Sequence, residues 1–461
     1  MSHSSNFNLG ITKRQILRID TFSVFALLLA LPMLGYGKNV ILFVGDGMGL
    51  TTTSAARIHE AQNKDRDWQE NTLSFEELPH VALIRPHTID AQIPDSAGTM
   101  SAIMTGVKTR SGVISVGPKY ARGDCKSVFE DPPETLMEFA HLKGLSTGLV
   151  TTSRITDATP AAAYAHSPDR TWENDARTPE SALSKGCGDL ANQLISFGDG
   201  GGIDLVLGGG RTSFLPKDVL DPERPEFMGE RLDDKDLILE WLKARSKRKY
   251  VWNLEQFNAL SSSQDGQVLG LFEPATMLFN EERIRGGGDE PSLTKMTTFA
   301  INFLQASSSD QPGYFLIIES ARIDHGNHFK NPYLALTETV EFSNAIRAAM
   351  KLVNLNETLV LVTSDHSSSL AFTGYPEANM PVLASLSYPS FTFMAGDGFQ
   401  QDHMQQEQDD PLAYDPEVQV APHAGEDVAA YAAGYLSERI RGTLEQHLLN
   451  DIIKSALASS P

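Results

Sequence analysis

Long apolar runs, cysteines, cations and repeats are all scarce in this chain, and each scarcity narrows what it can be. No stretch reaches the roughly 20 apolar residues that a membrane-spanning helix needs; the run 22–34 falls short of it. The C-terminus, Ser-Ser-Pro, shows no hydrophobic tail behind a spacer, so a lipid-anchor signal of that kind is not expected. There are two cysteines, Cys125 and Cys187, and a chain this long builds a core without needing staples. Lys and Arg number 38 against 59 Asp and Glu, a formal net charge of -21. Such an acidic chain is a poor partner for the phosphate backbone of nucleic acid and for an anionic membrane surface. An anionic substrate would need local cations, bound metal ions among them, to overcome that field. Internal repeats and low-complexity tracts are absent, which excludes solenoids and arrays.

What is present is an ordinary globular balance: 461 residues, 41% hydrophobic and 21% charged. That length accommodates one large domain with insertions, or two or three small ones. Residues 1–37 have the layout of a signal peptide: a basic start at Lys13, Arg14 and Arg18, the apolar run, then Gly35-Tyr36-Gly37 as a small-x-small cleavage site. Asp20 interrupts the approach to that run, so an uncleaved anchor is the alternative. In an exported chain, two cysteines form one disulfide more often than two thiols.

The pattern predicts strands at 40–44, 146–152, 204–207, 315–318 and 358–363, most of them continuous apolar runs of the buried parallel type. Helical patterns fall at 134–141, 292–306 and 336–350, and a final helical region is expected after His423. Strands alternating with helices predict an α/β fold, a three-layer αβα sandwich around a largely parallel sheet. The domain is expected over 38–461. Charge, proline and glycine rise over about 215–290, read as a peripheral insertion, and 374–421 is irregular enough to read as a second one.

Chemistry-bearing residues collect just past the predicted strands, where open α/β sheets keep their sites. Asp46 follows the first, between glycines; by itself that is a plain turn. Asp157 and Thr159 follow the second. Glu319, Asp324, His325 and His328 crowd the end of another, and Asp324 and His328 share one face if the turn is helical. Asp365 and His366 end the fifth. The stretch 93–108, IPDSAGTMSAIMTGVK, puts Ser96 at or just before a helix start. There, free N–H groups and the helix dipole favour an oxygen that carries charge or holds a phosphate. Asp-Ser before a helix is more often only an N-cap. Converging carboxylates, histidines and a serine point to a polynuclear metal site clamping an in-line displacement, with Arg170 as a forked clamp for phosphate oxygens.

Taken together, GDGMG (45–49), PDSAGT (94–99), TPAAAYAHSPDR (159–170), ESARIDHGNH (319–328), TSDHS (363–367) and HAGED (423–427) resemble the alkaline phosphatases, in family order, from about Lys38 to the end. The resemblance implies hydrolysis of phosphate monoesters at alkaline pH through a phosphoserine on Ser96, for phosphate scavenging. It implies Asp324, His328 and His423 as ligands of a first zinc, and Asp46, Ser96, Asp365 and His366 as ligands of a second. Asp46, Thr159 and Glu319 would hold a third ion, usually magnesium. Arg170 would clamp the phosphate, with Asp95, Asp157 and His325 around it. The pair Asp157 and His325 mixes bacterial and mammalian patterns and leaves the third metal's identity open. A Cys125–Cys187 disulfide and a calcium site resemble features of the animal enzymes. The calcium ligands would be Glu223, the Phe272 carbonyl, Glu273 and either Asp289 or Glu290. The insertion 374–421 stands where those enzymes carry a crown subdomain, here shorter, which helps form a homodimer.

The reading is therefore an exported phosphomonoesterase, periplasmic or secreted, without a membrane anchor after cleavage. A relative acting on diesters, phosphonates or sulfate esters is the enzyme alternative; a serine at position 96, in place of Thr or Cys, argues against it. A silent metal- or phosphate-binding protein is the alternative outside enzymes.

Overall fold

Apolar runs become strands here because both of their faces are covered. In a computed structural model describing Met1 and residues 39–458 (apart from 131, 264, 287, 308–312, 375–376, 378–379, 384–390 and 394–419), ten strands form one sheet. They are β1 (Asn39–Gly45), β2 (His80–Arg85), β3 (Ser146–Arg154), β4 (Leu205–Gly209), β5 (Arg248–Val251), β6 (Gln267–Leu271), β7 (Tyr314–Ser320), β8 (Thr358–Thr363), β9 (Val428–Gly434) and β10 (Gly442–Glu445). Their order is β10-β2-β9-β8-β1-β7-β3-β4-β6-β5. Only β9 runs antiparallel to its neighbours, β2 and β8.

β1 shows the layering. Val40, Leu42 and Val44 pack on one side with Met100, Ile103 and Ile452, while Ile41 and Phe43 pack on the other with Ala55, Phe342 and Ile346. The strand's period of two sends alternate side chains to opposite helical layers. The helices that matter for the site are α1 (Leu50–Asn63), α2 (Ser96–Thr105), α3 (Leu136–Leu142), α4 (Ala158–Tyr164), α5 (Leu293–Ser307), α6 (Arg322–His328), α7 (Pro332–Met350) and α8 (Leu448–Ala458). The fold is thus the expected largely parallel sheet between helical layers.

Two local expectations are corrected. The segment after His423 is strand before helix: β9 lies between β8 and β2, and α8 starts only at Leu448. Its alanine-rich sequence favours a helix, but sheet partners on both sides and burial decide otherwise. The stretch 215–290 is not wholly peripheral. β5 and β6 extend the sheet edge, and Leu237, Ile238 and Trp241 of the helix Leu237–Ala244 enter the core. Charge hid this because some of it is internal: Arg211 is buried against Asp221 through two bonds of 2.6 and 2.7 Å.

Residues 2–38 and most of 374–421 lie outside the described residues, so the signal-peptide and crown expectations do too. Among the described residues no helix is long and apolar enough to cross a membrane. Cys125 and Cys187 are joined in a disulfide with Cα atoms 6.0 Å apart.

One partly buried ion pair ties α3 to the stretch leading to Arg170. His166 Nδ1 donates to the Ser115 carbonyl (2.6 Å) and Nε2 to Glu138 (3.1 Å). Burial works to lower the His166 pKa, but the Glu138 carboxylate and the Ser115 carbonyl raise it above the ordinary value. A raised histidine contributes stability below its unfolded pKa and loses it as pH rises through the folded one. As pH rises from about 6.5 through the raised folded-state value, the wild type should therefore lose stability relative to His166→Gln. Thermal unfolding of both proteins in chelator checks this; parallel pH curves would exclude it.

Candidate active site

Four adjacent parallel strands, β8, β1, β7 and β3, end at one edge, and the chemistry-bearing residues sit on those ends. Asp46 follows β1, Glu319 lies near the end of β7, Asp365 and His366 follow β8, and Asp157 caps α4 just after β3. α6 comes directly after β7 and carries Asp324, His325 and His328 in a single helical piece. Register places Val44 beside both Glu319 and Thr363, so these ends are level.

Ser96 is the first residue of α2, and Asp95 is its cap, accepting from the Gly98 N–H at 3.2 Å. The cap expectation therefore falls on Asp95. Ser96 is buried, and its Oγ lies 3.1 Å from His366 Nε2.

The three imidazoles are oriented alike. Nδ1 faces a backbone carbonyl in each: Ser367 for His366 (3.1 Å), Ala421 for His328 (2.7 Å) and Pro94 for His423 (2.8 Å). A carbonyl oxygen only accepts, so Nδ1 carries a hydrogen and the Nε2 atom of each ring points into the site. His328 Nε2 and His423 Nε2 face each other at 3.2 Å, with Asp324 Oδ2 at 2.8 Å from the former and 3.8 Å from the latter. His366 Nε2 lies 3.3 Å from both Asp46 Oδ1 and Asp365 Oδ2. His366 also stacks on His423, ring centroids 3.6 Å apart. Among the described residues, two sets bring ligating atoms within 4.8 Å of one another: Asp46, Asp365 and His366, and Asp324, His366 and His423. His366 thus lies between the two groups.

These acceptors fit cations. Asp46 Oδ1 and Asp324 Oδ1 are buried without a hydrogen-bond partner, a costly state for a carboxylate unless a positive charge faces it. Burial, then Asp365, Asp324 and Glu319, push the Asp46 carboxyl well above the usual range. Burial pushes Glu319 up to about 8 despite the Thr151 hydroxyl that donates to it at 2.5 Å. Burial lowers His423 to about 4, helped by His366. For Asp324 burial is outweighed by His328, which holds the carboxyl low. Thr159 Oγ1 stands 3.5 Å from Asp46 Oδ2, which places the expected third-ion ligands together.

Arg170 is aimed from two sides: Nη1 donates to Asp95 Oδ2 (3.1 Å) and Nη2 to Asp157 Oδ1 (3.3 Å). His325 has its Nδ1 3.1 Å from Arg322 Nη1, and burial, then Arg322, lower it to about 3.

The positions expected to hold calcium lie elsewhere. Glu223 is raised to about 6 by burial, with Glu273 and Asp289 adding to it, so these acids are neighbours. Their oxygens are engaged by cations and amides: Glu223 accepts from Arg211 (3.2 Å), Glu273 from Arg224 (2.9 Å) and Glu290 from the Leu278 N–H (3.1 Å). Phe272 is buried beside Phe257.

Sequence reasoning missed several supports. Gly47 and Thr99 hold the two oxygens of Asp365, at 3.1 and 3.2 Å. Gly47 has φ 67°, and a Cβ there would stand 2.4 Å from Asp324 Oδ1, so only glycine fits. Thr99 is one turn along from the Asp-Ser start, a spacing that could have flagged it.

A family model described as alkaline phosphatase matches residues 37–459. The tissue-nonspecific alkaline phosphatase of Gallus gallus is 37% identical over 449 residues, covering 92% of this chain and 85% of that one. The alkaline phosphatase of Gadus morhua is 34% identical over 435 residues, covering 89% and 90%. In fold, the structure of Thermus thermophilus alkaline phosphatase superposes with a TM-score of 0.68 at 20% identity, covering 95% of each chain. With its sheet, its motifs and these relatives in agreement, the chain belongs to the alkaline phosphatase family, metal-dependent phosphatases that hydrolyse phosphate monoesters.

Proposed function

We propose that this protein is an exported phosphomonoesterase of broad specificity, working at alkaline pH through a phosphoserine on Ser96 and scavenging phosphate. The observation that supports it best is the setting of Ser96: a buried hydroxyl at a helix start, facing His366 Nε2 at 3.1 Å. Ser96 Oγ attacks phosphorus in line, the bond to the alcohol oxygen breaks, and water then takes the phosphoryl group from Oγ, releasing inorganic phosphate. Arg170 offers the phosphoryl oxygens the N–H bonds not engaged by Asp95 and Asp157. The N–H groups opening α2 add their dipoles to the same place.

Zinc held by Asp324, His328 and His423, zinc held by Asp46, Ser96, Asp365 and His366, and magnesium held by Asp46, Thr159 and Glu319 would supply charge to neutralise the attacking and leaving oxygens. Asp157 and His325, beside the third set, bias which ion it takes. A calcium ion on Glu223, Phe272, Glu273 and Glu290 would require Arg224 to leave Glu273. Periplasmic or secreted placement rests on residues 1–37, and a homodimer on the crown-like insertion.

The test is turnover of a chromogenic phosphate monoester across roughly pH 7–11, before and after chelation and again with zinc and magnesium restored. Activity should rise with pH, vanish with chelator and return with zinc. Diester or sulfate-ester turnover exceeding monoester turnover, or phosphate binding without any turnover in metallated protein, would overturn the reading.

A further inference from the structure

One half-buried cation beside the phosphate site has no role so far. Arg154 ends β3, and Gly210, at φ 91°, makes room for it: a Cβ there would stand 2.9 Å from Arg154 Cβ. Its guanidinium is held on every nitrogen. Nε donates to Glu173 (2.9 Å), Nη1 to Thr276 Oγ1 (3.2 Å), and Nη2 lies 3.0 Å from Asp157 Oδ2.

Asp157 is therefore a shared carboxylate. Oδ1 accepts from the Ala158 N–H (2.8 Å) and Arg170 (3.3 Å); Oδ2 accepts from Ser153 (2.7 Å) and forms an ion pair with Arg154 (3.0 Å). Burial works to raise its pKa, but Arg154, ahead of Arg170 and His325, holds it below the usual range. Ions alternate in sign along a chain of contacts that leads to Arg170. Glu230 meets Arg177 at 3.1 Å, Arg177 meets Glu173 at 3.6 Å, and Glu173, Arg154, Asp157 and Arg170 follow.

We propose that Arg154 is a positioning residue that sets phosphate affinity: by holding the outer oxygen of Asp157 it limits that carboxylate's grip on Arg170 and leaves the Arg170 charge available to phosphate. This rests on Arg170 being the phosphate clamp. The physical reason is that a carboxylate between two guanidiniums divides its field between them. Remove Arg154, and Asp157 becomes an anion balanced by Arg170 alone, directly beside the place a phosphate dianion must occupy. At the effective dielectric of such sites, one unit charge several ångströms away is worth about a tenfold change in binding.

The experiment compares fully metallated wild type with Arg154→Gln, Glu173→Gln and Arg170→Ala. It uses KM and kcat for a phosphate monoester, inhibition by inorganic phosphate, and calorimetric binding of inorganic phosphate. R154Q should raise KM and the inhibition constant of phosphate roughly tenfold while kcat holds or increases, since release of product phosphate is eased too. E173Q frees Arg154 toward Asp157 and should tighten phosphate about twofold or more. In an Asp157→Asn background the R154Q effect should shrink below about twofold. Phosphate affinity in folded R154Q within about twofold of wild type, weaker phosphate binding in E173Q, or an equal R154Q effect in both backgrounds would each overturn the proposal. Should R154Q fail to fold, the sign of the E173Q effect still decides. If R170A weakens phosphate binding and R154Q does not, this inference alone fails; if R170A leaves it unchanged, the clamp reading fails first.

Discussion

Ser96→Ala should lower monoester turnover by on the order of 10⁴-fold or more, the scale seen when a covalent nucleophile is removed from an otherwise intact site. The structure makes this a clean experiment. Asp95 supplies the cap of α2 through the Gly98 N–H, and Ser96 contributes no side-chain bond to that helix start. Alanine at the first helical position keeps the backbone and its N–H groups, so the melting temperature should stay near that of wild type. Arg170, Asp95 and Asp157 are untouched, so inorganic phosphate should still bind. What disappears is the oxygen 3.1 Å from His366 Nε2. Acid quenching of turnover with labelled substrate should trap phosphoserine in wild type and none in S96A. Label persisting on the protein in S96A would mean that another side chain accepts the phosphoryl group.

Asp46→Asn should have opposite effects in the metal-free and metallated protein. Asp46 lies in a buried set with Asp365, Asp324 and Glu319, each of which raises its pKa, and its Oδ1 has no hydrogen-bond partner. Without ions this is an uncompensated like-charge cluster, and an amide relieves it by about 1–3 kcal/mol. Metal-free D46N should therefore melt higher than metal-free wild type. With zinc the order reverses. An ion at about a thousandfold over its dissociation constant adds about 4 kcal/mol to the folded state, and D46N forfeits much of that. Activity should fall by more than the roughly 10–100-fold lost when a ligand's hydrogen-bond partner is removed. Calorimetric unfolding in chelator and in excess zinc reads both signs. A metal-free D46N less stable than wild type, or an undiminished zinc response, would show that Asp46 does not face a cation.

The candidate site could be read largely from residues 45–49, 94–99, 159–170, 319–328, 363–367 and 423–427 because its side chains sit on strand ends. A strand end in a parallel sheet is marked locally, by an apolar run that stops at a polar residue. Ser96 and Asp324 with His328 were legible for a similar reason, as each is positioned by its own short helix. β9 was not legible: alanines lean toward helix until β8 and β2 offer backbone partners on both sides. Strands β5 and β6 at the end of the sheet were masked by surrounding charge, because Arg211 and Arg231 count as surface in a sequence yet are buried against the carboxylates of Asp221 and Asp189.

The sequence by itself determined the residue types, their order and the strand ends on which they fall. Only the tertiary structure decided which atoms face which. Each imidazole's Nδ1 is claimed by a carbonyl, so that the Nε2 atoms converge. Asp157 is divided between Arg154 and Arg170. The carbonyls of Ala421 and Pro94 come from segments far away in the chain, and even for near neighbours such as Arg154 and Asp157 electrostatic energy depends on distance in space, to which spacing along the sequence is blind.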